Sequence, residues 1–274
     1  MQVKKVSRRL EAELLFRKYL RRPYRLEDHR DARFCAIVQS YKRPQNINRI
    51  VRILLACEFI DHVIVTNNNP DIDLRPYLGR AGDRLTLVQQ TEKRPPAWRY
   101  EIAAQHPDYN WFISLDDDVF PFPKQLGLVI TGLLENPIAP AGCFAEYFEE
   151  GRLLAGKNVE YFEQGCIVNS HDREGSCLRG QPRSLMWVYA FSKDHLRKYT
   201  QRLQELSLSN RQQFSDDVIL SMAGGYLPSV IPVGPLLRCH TSDTAGIANY
   251  KEPDFHNDRL IRYQESMQWL DNGT

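Results

Sequence analysis

Three consecutive carboxylates, Asp116-Asp117-Asp118, follow the apolar stretch Trp111-Phe112-Ile113-Ser114-Leu115. Adjacent like charges disfavour each other's ionisation unless a cation or hydrogen-bond donors compensate. Hard carboxylate oxygens suit Mn2+ or Mg2+, and such ions often bind through one or two carboxylates with substrate phosphates completing the shell. In extended backbone Asp116 and Asp118 fall on one side, so the spacing predicts that one meets a nucleotide ribose while the other holds a metal bridging two phosphates. A solvated acidic turn capping the next helix is the alternative for so short a pattern, while the apolar strand before it and the turn-forming Pro121 and Pro123 after it favour the functional reading. A second acid pair, Asp216-Asp217, stands between Ser215 and Val218-Ile219-Leu220. It reads as a helix start, with a serine N-cap and acids complementing the dipole. It reads equally as a reaction-centre pair, either a base for an acceptor hydroxyl or a stabiliser of positive charge in the transition state. Arg99 and Arg43 are suited either to gripping a diphosphate bidentately or to surface ion pairing. His240 is either a further metal ligand or a structural histidine, and Glu163 and His171 acquire no role from their surroundings.

The elements that must position these groups alternate between strand and helix. Phe34–Val38, His62–Thr66, Leu85–Val88 and Trp111–Leu115 are short apolar strands, separated by helical patterns through Ile47 to Leu55 and Pro96 to Gln105. Such βαβ alternation predicts a mainly parallel sheet covered by helices, with ligands bound beyond the carboxyl ends of its strands. Four polar segments should therefore converge: the Gln39 to Pro44 turn, Asn67 to Pro70, the stretch before Arg99, and Asp116 to Asp118. Further on, helices are expected at Lys124–Leu134, Lys193–Leu206 and Asp216–Ala223, with strand-like pieces at Val188–Phe191 and Val230–Val233. Residues 1–30 read as a basic helix and connector with Val3, Val6, Leu10 and Leu14 on one side. The remainder, 31–274, reads as one domain, with 31–123 the nucleotide-binding half and 124–274 the acceptor-binding half.

Together these segments resemble the GT-A glycosyltransferases, and within them the exostosin-like N-acetylhexosaminyltransferases (glycosyltransferase family 64) more closely than family 2. Ala36-Ile37-Val38-Gln39-Ser40-Tyr41-Lys42-Arg43 resembles the family's first strand and base-binding turn, and Val63-Ile64-Val65-Thr66-Asn67-Asn68 its second strand. Gln89-Gln90-Thr91 followed by Arg99 resembles a nucleotide-contacting segment, although Lys93 stands where an asparagine is usual. Asp116-Asp117-Asp118 matches the metal motif, and Phe214-Ser215-Asp216-Asp217-Val218-Ile219 the acidic segment near the reaction centre. Residues His256 to Arg259 loosely resemble a segment holding a basic residue near the diphosphate. The resemblance implies a GT-A fold and transfer of a hexose or N-acetylhexosamine from a UDP-sugar to a saccharide hydroxyl, with retention of anomeric configuration. It implies that Gln39, Arg43, Asn67, Arg99, Asp116, Asp117 and Arg259 bind the nucleotide sugar. Asp116 and Asp118, with His240, would hold Mn2+ or Mg2+, and Asp217 with Asp216 would act at the reaction centre. Affiliation with family 2 would instead imply inversion, with one of the two as general base. A nucleotidyltransferase would be expected to carry a glycine-rich phosphate loop after the first strand, and Gln39 to Pro44 contains no glycine. A nucleotide-sugar-binding protein without catalysis is the remaining alternative.

The bulk properties narrow these classes. The chain has 274 residues with 36 basic and 34 acidic side chains, a balance that implies no nucleic-acid partner. Its apolar runs are far shorter than the roughly 20 residues that span a bilayer. Six cysteines are scattered without a CxxC pair, so they are expected to be mostly reduced, with a Cys166–Cys177 bridge as the one alternative. The basic opening with Lys4, Lys5, Arg8 and Arg9, followed by no apolar signal, predicts cytoplasmic action. Two readings stand for that opening: a helix packed on the domain, and a peripheral contact with an anionic membrane surface.

Overall fold

The computed structural model describes residues 14, 16–21, 23–79, 82–149, 152–155, 167–169, 183–206, 215–239 and 254–271. Its centre is a seven-stranded sheet in the order β12-β6-β11-β4-β1-β2-β3. β4 (Trp111–Asp116), β1 (Phe34–Ser40), β2 (Ile60–Asn67) and β3 (Leu85–Gln89) run parallel. β11 (Val188–Ser192) joins β4 antiparallel and carries β6 (Ala141–Gly142), which pairs with β12 (Ser229–Val230).

The pleat sorts the core into two layers. Phe34, Ala36, Val38, Val63, Val65, Ile113 and Leu115 face one apolar cluster with α2 (Pro44–Leu55) and α4 (Pro123–Glu135). Cys35, Ile37, Ile64 and Phe112 face the other, with α3 (Trp98–Ala104), α5 (Lys193–Leu206), α6 (Asp216–Met222) and α7 (Phe255–Asp271). Strands buried on both faces carry continuous apolar runs, which is why β1, β2 and β4 stand out in the sequence, while the half-buried edge strand β3 shows through Leu85, Leu87 and Val88. The chain thus adopts the expected α/β architecture, a mostly parallel sheet flanked by helices. Short antiparallel pieces lie outside it. β7 (Ala145–Glu149) pairs with β8 (Arg152–Ala155) and β10 (Arg183–Leu185), while β13 (Pro235–Arg238) pairs with β5 (Val119–Phe120) and β9 (Ile167–Asn169).

Three expectations are corrected. The Val230–Val233 strand stops at Val230, and pairing resumes only at Pro235. Leu14 is exposed; α1 (16–21) instead packs through Phe16 and Leu20 onto the core, with the Arg49 and Arg52 guanidiniums over the Phe16 ring. α7, seventeen residues long, carries its apolar groups without a clean helical stripe and was not expected as a helix. Cys35, Cys57, Cys143 and Cys239 are reduced and buried, whereas Cys166 and Cys177 lie outside the described residues. Among the described residues no helix is long and apolar enough to cross a membrane.

Candidate active site

β2 and β3 lie to one side of β1 and β4 to the other, so the connections diverge at the carboxyl ends of β1 and β4. That divergence is where open α/β sheets form a ligand crevice. Gln39 lies in register between Asp116 of β4 and Thr66 of β2, and Asn67 between Ser40 and Gln89. The four polar segments therefore do meet along one edge.

Strand pairing ends at Asp116, and Asp117 and Asp118 form a turn before β5. The extended geometry that would align Asp116 with Asp118 is thus broken, and the three acids part differently. Asp116 keeps the parity of Phe112 and projects to the α3 side, where Arg99 Nη1 donates to its Oδ1 at 2.8 Å. Asp117 turns to the α2 side. Its Oδ1 accepts from Arg43 Nη1 at 2.7 Å, its Oδ2 from the Tyr41 backbone N–H at 2.9 Å, and its carbonyl from Asn46 Nδ2 at 2.8 Å. Buried and saturated, Asp117 fastens the β1–α2 turn rather than presenting itself to a ligand. Asp118 follows Asp117, with Oδ2 3.7 Å from Arg43 Nη2, while its buried Oδ1 has no partner.

α6 supplies the second acid pair. Asp216 Oδ2 accepts from Arg99 Nη2 at 2.8 Å and from Nε at 3.2 Å, so one guanidinium bridges Asp116 and Asp216. Asp217 Oδ1 accepts from Arg259 Nη1 at 2.6 Å and from the Val218 N–H at 2.9 Å, and Arg259 Nη2 also reaches Ser184 Oγ at 3.3 Å. The serine cap read from the sequence does not form. Ser215 precedes the helix with no side-chain cap bond, and its Oγ is buried without a partner.

Arg99 and Arg259 are buried inside this network, so neither is the exposed diphosphate grip the sequence suggested. Asn67 is likewise fully buried. Its amide donates to the Ile72 carbonyl and Gln89 Oε1 and accepts from the Asn69 N–H, which shapes the loop after β2. Gln39 remains half-buried at the crevice, and His240, Glu163 and His171 lie outside the described residues. The backbone does reach His240's neighbour: Cys239 N donates to the Asp118 carbonyl at 2.7 Å.

Burial governs the electrostatics. It pushes the Asp116 carboxyl up to about 7, Arg99 opposing the rise and Asp118 and Asp216 adding to it. Asp117 and Asp216 are raised for the same reason, each partly relieved by its arginine. Beneath Arg99 lie Tyr100 and Tyr189, joined hydroxyl to hydroxyl, with Tyr199 edge-on to Tyr100, and burial raises all three well above the ordinary phenol value. They form a neutral, low-dielectric floor that keeps the ion pairs strong.

One contributor, Trp187, escaped the sequence reading, and a second, Gln90, entered it only within the Gln89-Gln90-Thr91 segment. Trp187 takes the left-handed conformation at φ 63°, stacks on Phe144 with centroids 4.1 Å apart, and turns its carbonyl to accept from Asp116 N at 3.0 Å. A bulky residue there signals strain that the surroundings must hold, and nothing in a lone tryptophan announces it. Gln90, just beyond β3, is buried with both amide atoms unpartnered. A buried, unsatisfied amide at a strand's carboxyl end calls for an occupant, in line with the resemblance of Gln89-Gln90-Thr91 to a nucleotide-contacting segment.

No family model matches the chain, and no curated protein matches it. Among solved structures it is similar to a CMP:2-keto-3-deoxy-manno-octonic acid synthetase complexed with CTP, at 12% identity and TM-score 0.41, over 65% of this chain and 83% of that one. It is also similar to the mannosyltransferase PcManGT from Pyrobaculum calidifontis in complex with GDP-Man and Mn2+, at 14% identity and TM-score 0.49, over 99% of this chain and 83% of that one.

Proposed function

We propose that the chain is a glycosyltransferase that moves a hexose or N-acetylhexosamine from a UDP-sugar to a saccharide hydroxyl. The observation that carries this reading is the charge balance at the crevice. Five carboxyl groups, of Asp116, Asp117, Asp118, Asp216 and Asp217, face three guanidiniums, of Arg43, Arg99 and Arg259, among the described residues. That excess of carboxyls, with the buried Oδ1 of Asp118 unpartnered, is what a divalent cation would compensate.

The donor set fits that cation in kind. Among the described residues no cluster of three His, Cys, Asp or Glu side chains forms a complete cage. Mn2+ and Mg2+ commonly need no such cage, because substrate phosphates and water complete their shells. Asp118, with its unpartnered Oδ1, would be the first ligand, and Asp116, released from Arg99, and His240, beside the Cys239–Asp118 backbone bond, are the further ligands proposed. Bound there, the metal would neutralise charge on the departing diphosphate.

The protein's own groups do the rest. Gln39 and Gln90 line the edge where a nucleotide would lie, and Arg43 adds positive charge beside Asp118. Asp216 and Asp217 are clasped by Arg99 and Arg259, so both are fixed in place with a guanidinium already occupying one oxygen. That suits stabilising an oxocarbenium-like transition state better than removing a proton, and supports retention over inversion. Arg99 acts here as a positioning residue that couples the metal-side acid to the reaction-side acid.

The test is UDP release from a panel of UDP-sugars with and without Mn2+, using the wild type and Asp118→Asn. Release that requires Mn2+ and falls on the order of 100-fold in Asp118→Asn, with UDP still bound, is expected. No release and no UDP binding with any donor would overturn the reading.

A further inference from the structure

At the opposite end of the sheet from this site lies a cavity of about 560 Å³, formed where α1 and the connector pass the amino ends of β1 and β2. β1 spans Phe34–Ser40, so at about 3.3 Å per residue the two sites are about 20 Å apart. Its lining is mixed, polar and apolar in about equal parts, and the apolar part centres on Leu26, Phe59 and Tyr24. Leu26 and Phe59 are buried, and Tyr24 stands edge-on to Phe59 with centroids 6.3 Å apart. Lys18, Arg30 and Arg33 stand exposed around the opening, outnumbering the one exposed acid there that has no arginine partner among the described residues, Glu27. Arg25 is paired with Glu58 at 2.6 Å, whereas Lys18 and Arg30 have no ion pair among the described residues. Arg33 Nη1 donates to the Arg30 and Ala32 carbonyls, which stiffens the rim.

The cavity is preformed. Tyr24 N donates to the Ala56 carbonyl and the Glu58 N–H donates to the Tyr24 carbonyl, both at 2.9 Å, which pins the connector beside Cys57 as an isolated bridge. Gly127 of α4 leaves the space that seats it, since a Cβ there would lie 2.6 Å from Tyr24 Cε1 and 3.3 Å from Leu26 Cδ2. A preformed cavity of this size, with an apolar patch beneath several cations, has the two kinds of surface that an amphiphilic anion needs.

We infer that this cavity binds an amphiphilic phosphate, its apolar part on Leu26, Phe59 and Tyr24 and its phosphate among Lys18, Arg30 and Arg33. The shared chemistry admits two sources, a phospholipid headgroup with the start of its chains or a soluble phosphorylated compound.

Calorimetric titration with dihexanoyl phosphatidic acid and with glycerol 3-phosphate tests it, on the wild type, Lys18→Glu/Arg30→Glu, and the control Arg197→Glu on α5, across the sheet. All substitutions are at exposed positions, and near-UV circular dichroism verifies folding. The amphiphile should bind about tenfold tighter than glycerol 3-phosphate, and the double variant should lose about tenfold or more while the control keeps wild-type affinity. Co-sedimentation with anionic phosphatidylglycerol vesicles, lost in the double variant, would assign the source to lipid; titration without co-sedimentation would assign it to a soluble compound. No measurable binding of either phosphate, or equal binding by the double variant, would overturn the inference. Neither readout depends on sugar transfer, so this site and the proposed activity can fail separately.

Discussion

The two ends of the candidate site are built in opposite ways. At the β1 end, Asp117 is fixed by groups from one short turn, Tyr41, Arg43 and Asn46, within a compact strand–helix unit. At the α6 end, Asp216 and Asp217 sit on a seven-residue helix and are held from afar, by Arg99 from α3 and Arg259 from α7. The first corner needs only its own strand and helix. The second exists only when three distant segments dock, and Arg99 is the joint between the two.

Severing that joint should have the largest effect. Arg99→Ala leaves Asp216 buried without its counter-charge, and stability in urea should fall by about 3–5 kcal/mol. Adding Asp216→Asn should recover much of the loss, because no charge is then stranded. An Arg99→Ala protein as stable as the wild type would show the two corners to be independent.

Acid should loosen the α6 end next. His195 of α5 is buried, hydrogen-bonded through Nε2 to the Leu220 carbonyl, and burial lowers it to about 4 from an ordinary 6.5. Between those values the unfolded chain takes up a proton that the folded chain refuses, so stability is complete above 6.5 and declines as pH falls toward 4. The shift corresponds to about 3 kcal/mol lost across that window. His195→Gln should flatten the slope between pH 4 and 6.5 in urea titrations; an unchanged slope would remove His195 from the account.

The smallest effect is expected at Ser215. A capping serine is typically worth about 1 kcal/mol, but this hydroxyl makes no cap bond, so Ser215→Ala should shift stability by no more than about 0.5 kcal/mol. A larger loss would mean that α6 is held at its own start rather than from outside.

The same contrast explains what could be read from the chain. β1, β2 and β4 were legible because burial on both faces demands unbroken apolar runs, edge strand β3 because Leu85, Leu87 and Val88 cluster, and α5 because its charged and apolar residues alternate with helical period. β6, β7, β8 and β12 are too short or too polar to leave a pattern, and α7 mixes Arg259, Arg262 and Ser266 into its buried face, which blurs the stripe. Asp116, Asp118 and Asp217 were identifiable as a type. Their division of labour was not, because the turn at Asp117 breaks the period-two alternation on which the same-side argument for Asp116 and Asp118 relied. Arg99 was read as a ligand-facing cation because its partner lies 117 positions away, beyond any local rule.

That separation also orders assembly in time. Chain synthesised from its amino end completes β1 to β4 and the Arg99–Asp116 pair long before residue 216 exists. Closing a loop of this length carries an entropic cost that local contacts do not. The nucleotide-side corner should therefore be able to form first, and the crevice become complete only when α6 and α7 dock, making the assembled site a late reporter of a finished fold.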